Sequence, residues 1–320
     1  MPSSDHRSRF SFRGLSGLFH SPTGVSKSPD VFRGVVMVLV AVIFFTVTDT
    51  LAKYLTRFYP VSLIVWSRFT FHLLIVVVLL GPRYRSRLIR TRRLAEQVLR
   101  GLLLLIGSTF FINAVKFMPL AETTAISYLT PLIVTLMSVF FLGEKVALAR
   151  WIAILCSFAG VLIIIRPGSS VFTWAALLPI ANATTFAIYQ IVTRRLANLE
   201  SPYTSIFYAG LVGSVLFSVI LPDVWVLPQN WGHALAFVSI GLFAALGHLI
   251  LINAYVHASA ARLAPFSYTQ MIWVSIVGFV VFGDFPDIWS LLGIAILIAS
   301  GLYMASRERR SISAVSSDME

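Results

Sequence analysis

The sequence predicts an all-α integral membrane protein with ten transmembrane helices, arranged as two inverted five-helix repeats. Three observations support this prediction: the composition, an internal repeat, and the distribution of basic residues between apolar segments. Hydrophobic residues make up 58% of the 320 residues and charged residues only 12%, against roughly 45–50% and 25% in soluble domains. So little polar surface indicates that the lipid bilayer is the solvent for most of the chain.

Ten segments are apolar over about 20 residues, the length that a helix needs to span a bilayer. In order, the predicted helices are 33–54, 61–80, 98–116, 121–142, 149–166, 172–193, 203–221, 234–256, 262–282 and 287–305. Proline and glycine mark most of the boundaries between them. In chain order these signals are Pro60, Gly81-Pro82, Pro119, Gly143, Pro167-Gly168, Pro202, Pro222 and Gly283 followed by Pro286.

Part of the chain is repeated at an offset of 140 residues. Aligned without gaps, residues 101–144 and 241–284 are identical at 11 of 44 positions. The identities include two polar landmarks, Asn113-Ala114 with Asn253-Ala254 and Ser127-Tyr128 with Ser267-Tyr268. Shared apolar composition does not readily produce repeated polar pairs, so the match indicates two copies of one membrane unit. Internal repeats of this kind are common in secondary transporters.

Basic residues are divided unequally between the two sets of loops. With a cytoplasmic N-terminus, 20 Lys and Arg fall on the cytoplasmic side and 4 on the other. Loops rich in Lys and Arg remain in the cytoplasm, so both termini are predicted to be cytoplasmic in a multi-pass protein of the cell inner (plasma) membrane. An offset of 140 residues gives each copy five helices. Because five is odd, the second copy is predicted to be inverted relative to the first.

The predicted organisation has four parts. Residues 1–32 form a cytoplasmic tail, rich in Ser, Pro and Arg and expected to be disordered. Residues 33–168 form the first five-helix repeat and residues 169–306 the second. Residues 307–320 form a cytoplasmic C-terminal tail. No removable signal peptide is expected.

Several function classes are disfavoured by the sequence. The net charge of +12 and the six arginines between Arg83 and Arg93 would suit nucleic acid in a soluble protein, but here the basic run lies between two membrane segments. The single cysteine, Cys156, excludes a disulfide framework. Neither a phosphate loop, a zinc motif nor a catalytic triad pattern is present. The sequence therefore predicts no enzyme, no cofactor, no metal site and no nucleic-acid partner.

Longer motifs resemble one transporter family. The stretch Asn113 to Pro131, the run Phe141-Leu-Gly-Glu-Lys145 and the run Gly160 to Pro167 resemble the EamA repeat of the drug/metabolite transporter (DMT) superfamily. The second half looks like a degenerate partner, with Arg262 in place of Glu122 and Met271 in place of Pro131. The resemblance covers about residues 33–305. It implies ten helices around a central cavity and a cargo such as an amino acid, a nucleotide-related metabolite, riboflavin, S-adenosylmethionine or a toxic compound.

Asp49 and Arg68 are the most conspicuous charges inside the predicted helices. Each lies about eight residues from the same membrane face, hence about 12 Å deep, on neighbouring helices. A charge in mid-membrane costs about 2.5–3.5 kcal/mol, so either the two form a structural ion pair or Asp49 couples protons or binds cargo. Lys53, one turn from Asp49, is an alternative partner.

The repeated side chains Asn113, Asn253, Tyr128 and Tyr268 are further candidates. Amides and phenols can line a polar cavity without the desolvation cost of a full charge. The alternative is hydrogen bonding between helices, worth about 0.6–1 kcal/mol in membranes. Packing is favoured for the two asparagines, which adjoin small alanines, and both interpretations remain open for the tyrosines.

Polar and aromatic residues also cluster in the second half. They are Asn182, Tyr189 and Gln190 on the sixth helix, His248 on the eighth, and Gln270 and Trp273 on the ninth. Tyr189 is seven residues after Asn182, and Trp273 three after Gln270, so each pair is expected to share a helix face. Such a set would suit an aromatic solute. Trp and Tyr near helix ends are, however, also common interfacial anchors.

The sequence therefore predicts a secondary transporter that moves a small organic metabolite by alternating access, as a monomer or homodimer in contact with membrane lipids. Among the cargoes that the resemblance implies, an aromatic or heterocyclic one such as riboflavin or S-adenosylmethionine is preferred. An amino-acid or drug exporter of the same superfamily is the alternative, followed by a channel or lipid flippase.

Overall fold

The computed structural model describes residues 31–142, 148–168, 173–196, 199–258 and 260–317, and within these ranges it contains helices and turns but no strand. The α-helices are α1 (Val31–Leu55), α2 (Val61–Tyr84), α3 (Leu94–Phe117), α4 (Leu120–Ser127), α5 (Thr130–Leu142), α6 (Leu148–Ile165), α7 (Leu177–Leu196), α8 (Pro202–Val224), α9 (Trp231–His257), α10 (Ala260–Ser267), α11 (Thr269–Val277) and α12 (Ile288–Ser317). Short 3-10 turns cover Arg85–Arg87 and Trp174–Ala176, and a π-helical segment, Gly278–Phe282, follows α11.

Two of the ten predicted helices are interrupted. The predicted helix 121–142 is divided into α4 and α5 at Tyr128, and the predicted helix 262–282 into α10 and α11 at Tyr268. After each break a threonine hydroxyl donates to a carbonyl of the preceding helix: Thr130 to Ser127 O at 2.8 Å and Thr269 to Phe266 O at 2.6 Å. These bonds satisfy backbone acceptors that the interruption leaves without a helical partner.

The helices are apolar enough for a multi-pass membrane protein. Among the described residues, eight helices are long and apolar enough to cross a bilayer, and two further apolar helices, Trp151–Ile165 and Ile288–Tyr303, are shorter. Large apolar side chains point outward, for example Val78, Leu155, Val219 and Val280, each more than 60% exposed. An outward-facing apolar surface of this kind is expected where lipid is the solvent.

Helices from the two halves of the chain pack against each other. The main contacts pair α1 with α9, α2 with α8 and α9, α3 with α7 and α8, and α6 with α12. Glycines allow α2 to approach its neighbours closely. A methyl group at Gly241 of α9 would lie 2.6 Å from the His72 backbone nitrogen, and one at Gly213 of α8 would lie 2.5 Å from Phe69 Cδ1. Small residues at such crossings are typical of membrane helices.

Polar contacts between the halves lie at both ends of the bundle. At one end, here called the Asp284 end, Lys53 Nζ contacts Asp284 Oδ2 at 2.6 Å and also donates to Met118 O at 3.2 Å. The sequence offered Lys53 as an alternative partner of Asp49, but in the structure it pairs with Asp284. The turn after the π-helical segment brings Asp284 beside α1. At this end Arg166 also pairs with Asp287, whose pKa is lowered by the backbone N–H of Ser290 and by Arg166.

At the opposite end, the connection between α2 and α3 is bound to the second half through its backbone. Thr204 donates to Arg87 O, Tyr208 donates to Ile89 O, and the Arg92 N–H donates to Glu200. This is the end that the charge distribution assigns to the cytoplasm.

Some sequence predictions concern residues outside the described ranges. These are most of the N-terminal tail, residues 1–30, and the Gly143 to Lys145 part of the EamA-like motif. At the C-terminus α12 continues to Ser317, so most of the predicted tail 307–320 extends the last helix.

Candidate functional site

A cavity of about 550 Å³ lies between the two halves of the chain. Its wall combines apolar and aromatic side chains, including Phe45, Phe111 and Phe186, with a larger polar set. The polar and hydroxyl-bearing lining residues are Asp49, Arg68, Ser108, Thr124, Ser127, Tyr128, Thr130, Asn182, Gln190, His248, Tyr255, Ser267, Tyr268 and Gln270. Its size suits a small organic molecule, since ligand pockets commonly measure about 300–1,000 Å³.

Eight of the twelve residues singled out in the sequence line this cavity. They are Asp49, Arg68, Tyr128, Asn182, Gln190, His248, Tyr268 and Gln270. They come from α1, α2, α7, α9, α11 and the two helix breaks. Side chains far apart in sequence are therefore brought to one wall, and both halves of the chain contribute to it.

Asp49 and Arg68 meet at the cavity wall, as their equal depth predicted. Arg68 Nη1 lies 3.8 Å from Asp49 Oδ1, and the two side chains are 15% and 11% exposed. This separation is longer than a hydrogen bond. The pair is therefore a loose charge contact, with both groups facing the cavity.

A chain of hydrogen bonds connects Asp49 to the break between α4 and α5. Gln270 Nε2 donates to Asp49 Oδ2 at 3.3 Å. Gln270 Oε1 accepts from the Tyr128 hydroxyl at 3.1 Å, and the same hydroxyl lies 2.7 Å from Ser267 O. The carboxylate on α1 is thus linked to both interrupted helices.

The two tyrosines at the breaks face each other. Their ring centroids are 5.1 Å apart and the rings are inclined by 36°, within the range of favourable aromatic contacts. Tyr268 also packs against Gly301 of α12, where a side chain would overlap its ring. One aromatic wall of the cavity is therefore formed at the position where the two copies are identical.

His248 and Asn182 complete the polar lining. The His248 ring lies edge-on to Phe45 at 5.0 Å and to the buried His72 at 5.7 Å, and its Nδ1 is 2.8 Å from Ala244 O. Asn182 donates to Ser127 Oγ at 3.0 Å, which joins α7 to the end of α4.

The other four predicted residues lie away from the cavity. Asn113 and Asn253 bond to backbone carbonyls one turn earlier on their own helices, Thr109 O at 2.8 Å and Leu249 O at 2.7 Å. They make the same contact in both copies, within one helix rather than between helices. Tyr189 accepts from Arg100 Nη2 at 2.6 Å, and Trp273 is 40% exposed. Neither therefore shares a functional face with Asn182 or Gln270.

Sequence reasoning missed several lining residues. Ser127 and Ser267 precede the tyrosines in the repeated dipeptide, so the repeat itself was a signal for both. Phe45 and Phe186 carry no such signal. The hydropathy of an aromatic residue in an apolar helix is the same whether the residue faces lipid, the core or a cavity.

The arrangement is suited to binding a solute. Donors, acceptors and aromatic faces surround a volume that a solute can fill. Among the described residues, no group of three or more His, Cys, Asp or Glu side chains could hold a metal ion.

The chain is similar to a known family and to several transporters. The EamA-like transporter family matches residues 32–166 and again residues 173–306. An S-adenosylmethionine uptake transporter of Rickettsia prowazekii is 26% identical over 282 residues, covering 88% of this chain and 95% of the relative. A riboflavin transporter of Vibrio cholerae is 28% identical over 282 residues, covering 87% and 94%.

A solved crystal structure shares the fold. It superimposes with a TM-score of 0.61 at 19% sequence identity and covers 87% of this chain and 98% of that chain. This likeness concerns the arrangement of helices alone.

Proposed function

Because this chain belongs to the EamA-like transporter family, we propose that it moves a small organic metabolite across the inner membrane by alternating access. The observation that carries the proposal is the cavity of about 550 Å³, lined by charged, amide and aromatic side chains from both halves. A site between two repeats is where secondary transporters bind their cargo.

The proposed architecture is ten transmembrane helices in two inverted five-helix repeats, residues 33–168 and 169–306. Helix boundaries support it, since α4 (Leu120–Ser127) and α10 (Ala260–Ser267) are offset by 140 residues at both ends. The same offset relates the first residues of α6 and α12. The packing supports it too, with α4–α5 and α10–α11 each counted as one helix. When each helix is replaced by its counterpart in the other repeat, the contact between α1 and α9 becomes the contact between α7 and α3. The α2–α8 and α6–α12 contacts are unchanged by this replacement.

The proposed orientation places both termini and the end containing Arg87 in the cytoplasm, and the Asp284 end outside. The 20:4 distribution of basic residues supports it. Inversion would let the two repeats exchange shapes, so that the cavity opens to one side and then to the other.

For the cargo we propose an aromatic or heterocyclic metabolite such as S-adenosylmethionine or riboflavin. The names of the two relatives and the aromatic wall of Tyr128 and Tyr268 support this choice. An amino-acid or drug exporter of the same superfamily is the second candidate. It is favoured over riboflavin by the charge pair, which an uncharged cargo would not require.

Transport by purified protein in proteoliposomes tests the proposal. We expect saturable uptake of labelled S-adenosylmethionine or riboflavin, accelerated when the same compound is preloaded inside the vesicles. Acceleration from the opposite side requires a site that alternates between two faces. Uptake that rises linearly with concentration and is not accelerated by preloading would identify a channel. Product formation without net movement of the compound would identify an enzyme.

A further inference from the structure

The Arg68 guanidinium is a buried cation with unused hydrogen-bonding capacity. It carries five N–H donors, yet within the described part of the chain its only charged contact is Asp49 Oδ1 at 3.8 Å. Among the described residues, no carbonyl, hydroxyl or carboxylate accepts a hydrogen bond from Arg68. Arg100, by contrast, donates to Thr193, Ser205 and Tyr189 at 2.6–2.8 Å. A buried guanidinium in a structural role is normally satisfied as Arg100 is.

Asp49 is only partly satisfied as well. Oδ2 accepts from Gln270 at 3.3 Å, and in the ranges that the structure describes Oδ1 has only the charge contact with Arg68. The Asp49 carboxylate and the Arg68 guanidinium therefore lie side by side on one cavity wall. A carboxylate oxygen that can accept hydrogen bonds and the guanidinium N–H donors face the same cavity.

We infer that Asp49 and Arg68 together form a subsite for the zwitterionic head of an α-amino acid group. In such a head the ammonium and the carboxylate are attached to one carbon atom. Laid against the pair in the opposite order, the ammonium contacts Asp49 while the carboxylate accepts two N–H bonds from Arg68. Bidentate bonds of this kind are strong and geometrically selective.

The charges favour a zwitterion over a cation or an anion. The pair and the head are each neutral overall, so binding adds no net charge to the membrane interior, where an unpaired charge is costly. A purely cationic head would leave Arg68 without a partner, and a purely anionic one would leave Asp49 without a partner.

The rest of the cargo would lie against the neighbouring side chains. Gln270 contacts both Asp49 and Tyr128, so the head would be placed directly beside the Tyr128–Tyr268 wall. The inference rests on the proposed transport function and refines it to cargo that joins an amino-acid head to an apolar or aromatic body.

Analogues that lack one charge test the subsite on the unaltered protein. The probes are S-adenosylmethionine with its decarboxylated analogue, and phenylalanine with phenethylamine and phenylpropionate. Methylthioadenosine, which lacks the whole head and the sulfonium charge, is the control for the remaining body. Binding to full-length protein in nanodiscs is measured by calorimetry. In at least one series we expect removal of either charged group to weaken binding about 10- to 100-fold, the range for hydrogen bonds to charged groups. Affinities within twofold of each other in both series, or no binding of either intact compound, would overturn the subsite.

Two variants assign the effect to the pair. Arg68→Gln is expected to remove the preference for the carboxylate and Asp49→Asn the preference for the ammonium. Arg57→Gln, which removes a positive charge from the exposed turn after α1, should retain both preferences. If Arg68→Gln discriminates between the analogues as the wild type does, the assignment is wrong. If either variant does not fold, the analogue series on the wild type decides.

Failure of the subsite differs visibly from failure of the transport proposal. If riboflavin uptake is saturable and stimulated by preload, but compounds with an amino-acid head are neither bound nor transported, the protein is a carrier without this subsite. Absence of saturable uptake for every compound would remove the transport function itself.

Discussion

Two carboxylates of the chain are held in contrasting ways. Asp284 is 2.6 Å from Lys53, whose side chain is only 10% exposed, whereas Asp49 is 3.8 Å from Arg68. The first is a direct charge-assisted hydrogen bond and the second is not. The Lys53–Asp284 pair therefore joins α1 to the second half, and the Asp49–Arg68 pair is the one that we propose to bind a ligand.

Substitution of each carboxylate separates these roles. We expect Asp49→Asn to lower the free energy of unfolding by less than about 1 kcal/mol, because Arg68 faces a polar cavity where water can solvate the charge that is left without its partner, and to abolish accumulation of cargo. Asp284→Asn should cost more, about 1–3 kcal/mol, because the buried Lys53 ammonium loses its charged partner. Thermal unfolding in detergent and uptake per folded molecule measure both effects. A loss of about 3–5 kcal/mol in Asp49→Asn, with uptake per folded molecule unchanged, would assign the pair to structure.

For single residues, the sequence predicted the relative depth of charged side chains correctly, but it did not predict all of their interaction partners. Counting residues from the helix ends placed Asp49 and Arg68 at the same level, and they meet. It could not identify Asp284 as the partner of Lys53, 231 residues away, because that contact depends on how the halves pack. It also assigned Asn113 and Asn253 to the cavity or to helix contacts, whereas each satisfies its amide on its own helix.

Among the helices, the interruptions at Tyr128 and Tyr268 connect the cavity to the backbone. Each break occurs beside the cavity and places a tyrosine ring in its wall. Interrupted helices at binding sites let transporters expose polar backbone groups where cargo binds. The hydroxyl of Tyr128 bonds to Ser267 O across the two breaks, and among the described residues the hydroxyl of Tyr268 has no hydrogen-bond partner.

Removing each hydroxyl tests this asymmetry. Tyr128→Phe should lower stability by about 1–2 kcal/mol, because it leaves the Ser267 carbonyl without a donor, and should slow uptake. Tyr268→Phe keeps the ring and is the matched control, expected to change stability by less than about 0.5 kcal/mol. Melting temperatures and initial uptake rates compare the two variants. Equal effects would show that the bond across the breaks does not matter.

Close packing of α2 against α8 gives a second prediction for the helices. A methyl group at Gly213 would overlap the Phe69 ring, and overpacking of this kind costs about 1–3 kcal/mol. Gly213→Ala is therefore expected to lower the melting temperature clearly. Val219→Leu on the same helix, at a side chain that is 74% exposed, should leave the melting temperature close to that of the wild type. A stable Gly213→Ala protein would mean that the two helices pack less closely than described.

The helices themselves were predictable because apolar runs and proline boundaries are local signals. The breaks were not, since an interruption does not change hydropathy. Pro131 offered a hint in the first copy, because a proline ring clashes with the carbonyl four residues earlier, here Ser127 at the end of α4. The second copy has Met271 at that position and is interrupted nevertheless.

For the whole molecule, the repeat and the charge distribution describe the same arrangement from independent data. The repeat predicts five helices per copy, and the charges predict opposite sides for corresponding loops. The packing of α1 on α9 and of α3 on α7 has the reciprocity that two related halves require. The sequence singled out eight residues that line the cavity, but it could not separate them from the four that do not, because the wall consists of single residues from helices distant along the chain.

Reporter fusions test this arrangement directly. Fusions after Arg90 and after Arg310 should report the cytoplasm, because their loops belong to the side with 20 basic residues. A fusion within residues 222–231, a stretch without Lys or Arg, should report the outer side. A fusion after Arg194 is the internal control for a cytoplasmic loop of the second half. Because five helices separate the loop after α2 from the loop after α8, the fusions after Arg90 and within 222–231 must report opposite sides if the copies are inverted. An outer-side signal after Arg90 would overturn the orientation, and equal signals from these two fusions would overturn the inversion.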